Sequence, residues 1–193
     1  MRIGITGSLS SGKSSVAKIL SKKNDLLFSA DKIVNNLYSD NQFKKKIKKK
    51  FKIKKKNIKS EIKSKLLSKE IALIELGKLI HPFVRKKMKA FSRKNKKKEI
   101  IFFEIPLLIE SNLMNFFDFI ILVVAPRKNR LSRYLKNGGK KEMFNLLDKN
   151  QISPKQKIKF CDYLIVNNKS KNILKKKVND IIMNVWNIFR YWN

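Results

Sequence analysis

The chain is poor in the residues that staple or punctuate a fold. One cysteine, Cys161, among 193 residues excludes an internal disulfide framework and suits a reducing compartment. One histidine, His81, beside that single cysteine leaves no set of ligands for a structural zinc site. Six glycines and four prolines exclude a collagen-like or Pro/Gly-rich chain. No apolar run approaches the ~20 residues that a membrane helix needs. The first residues lack the cleavage pattern of a secretory signal, so the expected location is the cytoplasm, without a membrane partner. Acids are scarce as well: 14 Asp plus Glu face 47 Lys plus Arg, a formal charge of +33.

Such a charge points at first to a nucleic-acid partner, because lysines and arginines displace the counterions of a phosphate backbone. Composition argues otherwise. Only seven of the 47 basic residues are arginine, and Asn, Ile and Phe are also abundant. Lys, Asn, Ile and Phe share AT-rich codons, so a genome-wide bias accounts for the charge, and no specific nucleic-acid partner is expected. The chain attracts anions in either case. With 42% hydrophobic residues it has enough to bury a core of one α/β domain.

Five short apolar runs read as strands: residues 2–6, 26–29, 100–105, 119–125 and 163–166. Their near-continuous apolar character suits strands buried on both faces, as in a parallel sheet flanked by helices. A helical pattern covers Lys13 to Ser21. Between the second and third strands lies a Lys-dense segment, about residues 32–98, with helical patterns at 62–67 and 71–80. Within it, His81-Pro82 ends one helical run and starts another, and the stretch 43–59 reads equally as a solvated helix or a loop. The last segment, 172–192, reads as an amphipathic helix with an apolar stripe that includes Val178, Val185 and Phe189.

Residues 7–14 read Gly-Ser-Leu-Ser-Ser-Gly-Lys-Ser, between the first strand and the first helix. Gly7, Gly12, Lys13 and Ser14 match the phosphate-binding pattern G-x-x-x-x-G-K-[ST] in its required context. Gly7 turns the chain off the strand, and backbone N–H groups of the loop and the new helix cradle an anion. Lys13 supplies a cation for the β- and γ-phosphates. Ser14 offers its hydroxyl to Mg²⁺. Ser10, Ser11, Gly12 and Ser15 complete the ATP-binding set. The loop reports a nucleoside triphosphate, not a reaction.

Asp31 follows the second strand, at the carboxyl edge where ligands of parallel sheets bind. There it can serve as a base or as a first-turn helix residue. Glu104 ends the third strand, within reach of a hydrated Mg²⁺ or a substrate. Arg127, Arg130 and Arg133 recur every three residues after the fourth strand, along one side of a helix. Guanidinium forks there would bind phosphate in a geometry that lysine does not reproduce.

Taken in order, Gly7 to Ser15, Ala30-Asp31, Leu79-Ile80-His81-Pro82-Phe83-Val84-Arg85, Glu104 to Glu110, Arg133, Gln151 and Cys161 to Asn168 resemble the dephospho-CoA kinases over nearly the whole chain. The resemblance implies an α/β phosphate-loop kinase fold with a parallel five-stranded sheet, helices on its faces, a helical acceptor-binding insertion at about 32–98 and a lid at about 127–141. The core would then be 1–31, 99–126 and 142–193. It implies ATP-dependent phosphorylation of the ribose 3′-hydroxyl of dephospho-CoA, with Mg²⁺. By the same likeness Asp31 is the general base, Lys13 and Arg133 act on the phosphates, and His81, Arg85, Glu104 and Glu110 lie on the acceptor side. The family pattern has Asp where Ser29 stands. A small kinase of nucleoside monophosphates remains the alternative, and a basic nucleic-acid binder a third.

Overall fold

The computed structural model describes residues 1–21 and 26–192, with side chains through residue 188. Phe189 of the expected apolar stripe therefore falls outside the described side chains. Five strands form one parallel sheet: β1 (Arg2–Gly7), β2 (Leu27–Ser29), β3 (Ile101–Glu104), β4 (Phe119–Val124) and β5 (Tyr163–Val166), in the order β2-β3-β1-β4-β5. β1 lies between β3 and β4, with Ile5 opposite Glu104 on one side and Ile121 on the other. The chain moves from β1 outward to β2 and later from β3 across to β4. The crevice at the carboxyl end of β1 and β3 is thus the switch point at which ligands of such sheets bind.

Both faces of β1 to β4 are largely buried, which is why these strands read as continuous apolar runs, whereas the outer strand β5 buries Ile165 and leaves Leu164 and Val166 exposed. Ile3, Ile5, Phe102, Ile121, Val123 and Ile165 point to α1 (Lys13–Ser21) and α9 (Lys171–Trp192), where Val16, Ala17, Leu174, Val178 and Val185 meet them. Phe28, Ile101, Phe103, Ile105 and Ile120 point the other way. That face is covered by α2 (Ala30–Leu37), α3 (Asn41–Phe51), α4 (Ile58–Leu67) and α5 (Leu73–Lys94). After β4 come α6 (Arg127–Lys136), α7 (Lys141–Lys149) and the short α8 (Pro154–Lys157). α4 packs against α7, so the chain between β2 and β3 meets the chain that follows β4.

The Lys-dense stretch from 43 is resolved as α3 followed by a turn. Phe43, Ile47 and Phe51, four residues apart, form its buried stripe, and most of the lysines between them lie on the solvent side. Asp40 caps the helix by accepting from Phe43 N at 2.7 Å. The turn after it is held by Glu61, whose carboxylate accepts from the backbone N–H groups of Lys54 and Lys55.

Pro82 does not break the helix, contrary to the sequence expectation. α5 runs unbroken through it. Pro82 lacks the N–H that would bond to the carbonyl of Lys78. Burial of Leu76, Leu79 and Ile80 before it, and of Val84 and Met88 after it, holds both halves on the same core.

Phe103, fully buried, is the hub of that core, with ring centroids at 5.4–5.7 Å from Phe28, Phe91, Phe116 and Phe117. Phe103→Ala removes a ring that four others surround. The expected loss is about 3–5 kcal/mol in urea unfolding monitored by circular dichroism. A loss below about 1 kcal/mol would mean that this cluster does not hold the helical layer.

Candidate active site

The phosphate loop leaves β1 through two positions that only glycine fills without strain. Gly7 has φ +147°, and a Cβ there would lie 2.1 Å from Val123 O. Gly12 has φ +100°, and a Cβ there would lie 2.1 Å from Asn167 Nδ2. Between them Leu9 is held at both ends: its N–H donates to Gln151 Oε1 at 2.9 Å, and its carbonyl accepts from Arg130 Nη1 at 3.4 Å. Asn167 Nδ2 and Arg133 Nη1 both donate to Ser11 O, at 2.8 and 3.2 Å, and Arg133 Nη2 donates to Asn167 O at 3.0 Å. Arg133 therefore lies across the loop that would hold phosphates.

Lys13 begins α1 and is buried, donating from Nζ to Ser8 O at 2.9 Å. Burial lowers its pKa to about 8. The charges of Asp31 and Glu104 pull it back up, while Lys157 and Arg130 push it further down. An anion in the loop would supply the missing counter-charge.

Ser14, one residue on, donates to Glu104 Oε1 at 2.5 Å, and Ser29 Oγ donates to Glu104 Oε2 at 3.2 Å. Ser29 is the N-cap residue of α2, yet its side chain makes no cap hydrogen bond; it serves Glu104 instead. Glu104 is thus a buried carboxylate at the end of β3 joining the first turn of α1 to the start of α2. The likeness puts it on the acceptor side; it lies beside Ser14 and Ser29 and is not among the residues that line the cavity next to Asp31.

Asp31 occupies the first turn of α2, exposed toward a cavity of about 220 Å³. The protein walls desolvate its carboxyl and push its pKa up; the charge of Lys13 lowers it, and that of Glu104 raises it. The cavity is also lined by His81, Arg85, Gly77, Pro106 and Ser111. Gly77, His81 and Arg85 are spaced four apart, which puts them on one stripe of α5. A Cβ on Gly77 would come within 3.3 Å of the imidazole of His81. Burial and then Arg85 lower the pKa of His81. Arg85 Nη2 donates to Ser111 O at 2.5 Å. Asp31, His81 and Arg85 thus share one cavity, and the charges of Asp31 and Lys13 act on each other.

Glu110 is not among the residues that line it. Its Oε1 accepts from Ile152 N at 3.1 Å and lies 2.7 Å from Lys157 Nζ. The three arginines of α6 also separate. Arg127 and Arg130 both engage Asp148 of α7, Arg130 at 2.5 Å, and only Arg133 reaches Ser11.

Residues 1–172 match the family of dephospho-CoA kinases. The chain belongs to that family. It is 34% identical over 190 residues to the dephospho-CoA kinase of Protochlamydia amoebophila, covering 93% of this chain and 94% of that one. It is 29% identical over 186 residues to that of Rickettsia bellii, covering 96% and 97%. The fold is shared with a solved dephospho-CoA kinase from Campylobacter jejuni, at a TM-score of 0.65 and 24% identity over 95% of this chain and 96% of that one.

As a member of the dephospho-CoA kinase family the chain is an ATP-using kinase, and Lys13 bears on how it takes up nucleotide. Its folded pKa, about 8, is below the ordinary 10.5. Between those values the unfolded chain holds more protons at this site, so the free protein gains stability as pH rises through that window. A triphosphate held in the loop would restore the charged form. Binding should then take up roughly half a proton near pH 8 and more near pH 9, and none from Lys13 at pH 6.5. Calorimetry in buffers of different ionisation heat measures this; uptake independent of pH would mean that Lys13 does not meet the phosphates.

Proposed function

We propose that the chain transfers the γ-phosphoryl group of ATP to the ribose 3′-hydroxyl of dephospho-CoA, giving ADP and CoA, the last step of CoA synthesis. The carrying observation is that the family match spans the phosphate loop, Asp31 and the cavity of His81 and Arg85 together. A nucleoside monophosphate acceptor would account for the loop and Arg133, but not for the family match.

In this reaction Asp31 accepts the proton of the 3′-hydroxyl as its oxygen bonds to the γ-phosphorus. The bond from that phosphorus to the β–γ bridging oxygen breaks, and ADP leaves with the electron pair. The raised pKa of Asp31 suits a group that must hold a proton in passing. Lys13 and the loop N–H groups meet the β- and γ-phosphates, and Arg133 leans on the charge that develops between them. His81 and Arg85 would hold the acceptor, and the methyl and methylene groups of its pantetheine arm would lie against Val34, Leu76, Ile80 and Val84 of the cavity wall.

The oxygen set at Ser14 and Glu104 fits a hard divalent cation. A hydroxyl and a buried carboxylate share one edge of the loop, and no group of three or more His, Cys, Asp or Glu stands there among the described residues to form a closed cage. Mg²⁺ would take Ser14 Oγ, with Glu104 ordering its water shell, and would neutralise phosphate charge. We assign 32–98 as the acceptor-binding insertion and 127–141 as the lid of a single kinase domain. Small-molecule substrates, no specific nucleic acid and a cytoplasmic location complete the proposal.

Asp31→Asn keeps shape and removes the base. Turnover of ATP with dephospho-CoA should fall by about 10² or more, the usual scale for a general base, while ATP binding persists. Unchanged turnover would remove Asp31 from that role.

A further inference from the structure

Two lysines are buried among the described residues: Lys13 at 7% exposure and Lys157 at 0%. The first has the phosphate loop as its reason. The second has no part in the proposed phosphoryl transfer, and it is buried in a chain whose other lysines are mostly solvated.

The local sequence aims it inward. Ser153-Pro154-Lys155-Gln156 closes a reciprocal capping box: Ser153 Oγ accepts from Gln156 N, and Gln156 Oε1 accepts from Ser153 N. Pro154 sits in the first turn, where its missing N–H costs nothing. The short α8 is thereby fixed, and Lys157 N bonds to Ser153 O at 3.0 Å. The side chain is directed beneath the chain that follows β3, where Nζ lies 2.7 Å from Glu110 Oε1.

A continuous series of bonds leaves that ion pair in two directions. Glu110 Oε1 also accepts from Ile152 N, and the neighbouring Gln151 holds Leu9 N of the phosphate loop. Glu110 belongs to the same short connection as Pro106 and Ser111, which line the acceptor cavity. At its start this connection is tied to β1 by Thr6 Oγ1 donating to Pro106 O at 3.1 Å, and Ser111 O receives Arg85. The pair thus stands between the loop for one substrate and the wall for the other. The charge of Lys157 also reaches Lys13.

Stability is a poor explanation for it. Glu110 Oε2 and Lys157 Nζ are both buried without a hydrogen-bond partner among the described residues, so their 2.7 Å contact is a charge pair that lacks hydrogen-bond geometry. Buried pairs with unsatisfied groups are commonly matched or bettered by apolar residues of similar volume.

We propose that Lys157 and Glu110 are positioning residues: their buried ion pair, acting through Ile152 and Gln151, holds the phosphate loop at Leu9 in fixed register with the acceptor wall at Pro106–Ser111. Neither touches the reacting atoms. The effect on turnover rests on the acceptor assigned above; the effect on the loop does not.

The test uses Lys157→Met/Glu110→Leu, which removes the charges together and avoids an orphaned ion, and Gln151→Ala, which cuts the series at its other end without burying a charge. Folding is checked by thermal melting. Amide hydrogen exchange at Leu9 should quicken at least about tenfold in the double variant, in which neither partner of the Leu9 bond is altered. In both variants kcat with dephospho-CoA should fall by about tenfold or more, with KM for ATP within about threefold of the parent. If the double variant does not fold, Gln151→Ala decides through kcat and KM. Unchanged Leu9 exchange in a folded double variant, or kcat within twofold of the parent in either folded variant, overturns the proposal. A parent protein that does not turn over dephospho-CoA contradicts the assigned acceptor instead, and Leu9 exchange then decides between strut and no strut.

Discussion

The register of β1 against β3 is the constraint on which the site depends. Ile5 stands opposite Glu104, so the strand that feeds the phosphate loop ends beside a strand that ends in a carboxylate. One consequence is the contact of Ser14 with Glu104; another is the contact of Ser29 with the second oxygen of the same group. Three chain segments far apart in sequence meet on one side chain. A shift of one residue would turn Glu104 to the opposite face of the sheet. It would also disrupt the crevice that Asp31 and Lys13 share. Phe103 packs into the aromatic cluster on one face and Phe102 into the α1 and α9 core on the other, and this shape-specific packing holds the register, so the core specifies the site.

Electrostatics follow from that placement. Lys13 is desolvated and short of counter-charge, Asp31 is desolvated and held between Lys13 and Glu104, and Arg133 is parked on the carbonyls of Ser11 and Asn167. Lys13 and Arg133 are poised toward an anion, and Asp31 beside them toward a proton donor. The loop N–H groups, the dipole of α1 and these cations form a preorganised field, which is the larger part of phosphoryl-transfer catalysis. The +33 of the whole chain adds long-range attraction and little geometry.

Much of this was legible in the residues. The five strands were visible as short apolar runs, four of them because both of their faces are largely buried, and the phosphate loop because its glycines, lysine and serine have fixed jobs. The buried stripe of α3 was present in the spacing of Phe43, Ile47 and Phe51, but the lysines around it hid the period. Pro82 misled because a local rule about proline yields to tertiary burial on both sides. The three arginines of α6 looked equivalent; Asp148, which engages two of them, lies on another helix, and no spacing within α6 reveals it. Gln151 and Asn167 stood within recognisable segments, yet their task of holding loop backbone comes from pairing across 142 and 156 residues. Lys157 was illegible for a simpler reason: a buried lysine in a chain this rich in lysine looks like any other, although the capping pattern before it predicts a fixed short helix.

The choice of acceptor is the central claim, because the loop and its cations would serve any phosphoryl transfer, and the acceptor depends on what the cavity of His81 and Arg85 admits. The most direct measurement offers ATP with an equimolar mixture of dephospho-CoA and nucleoside monophosphates and identifies the products by mass spectrometry. The account predicts CoA as the main product, phosphorylated at the ribose 3′ position, with nucleoside diphosphate other than ADP from ATP near background. A nucleoside diphosphate as the main product, with dephospho-CoA left unchanged, would contradict it.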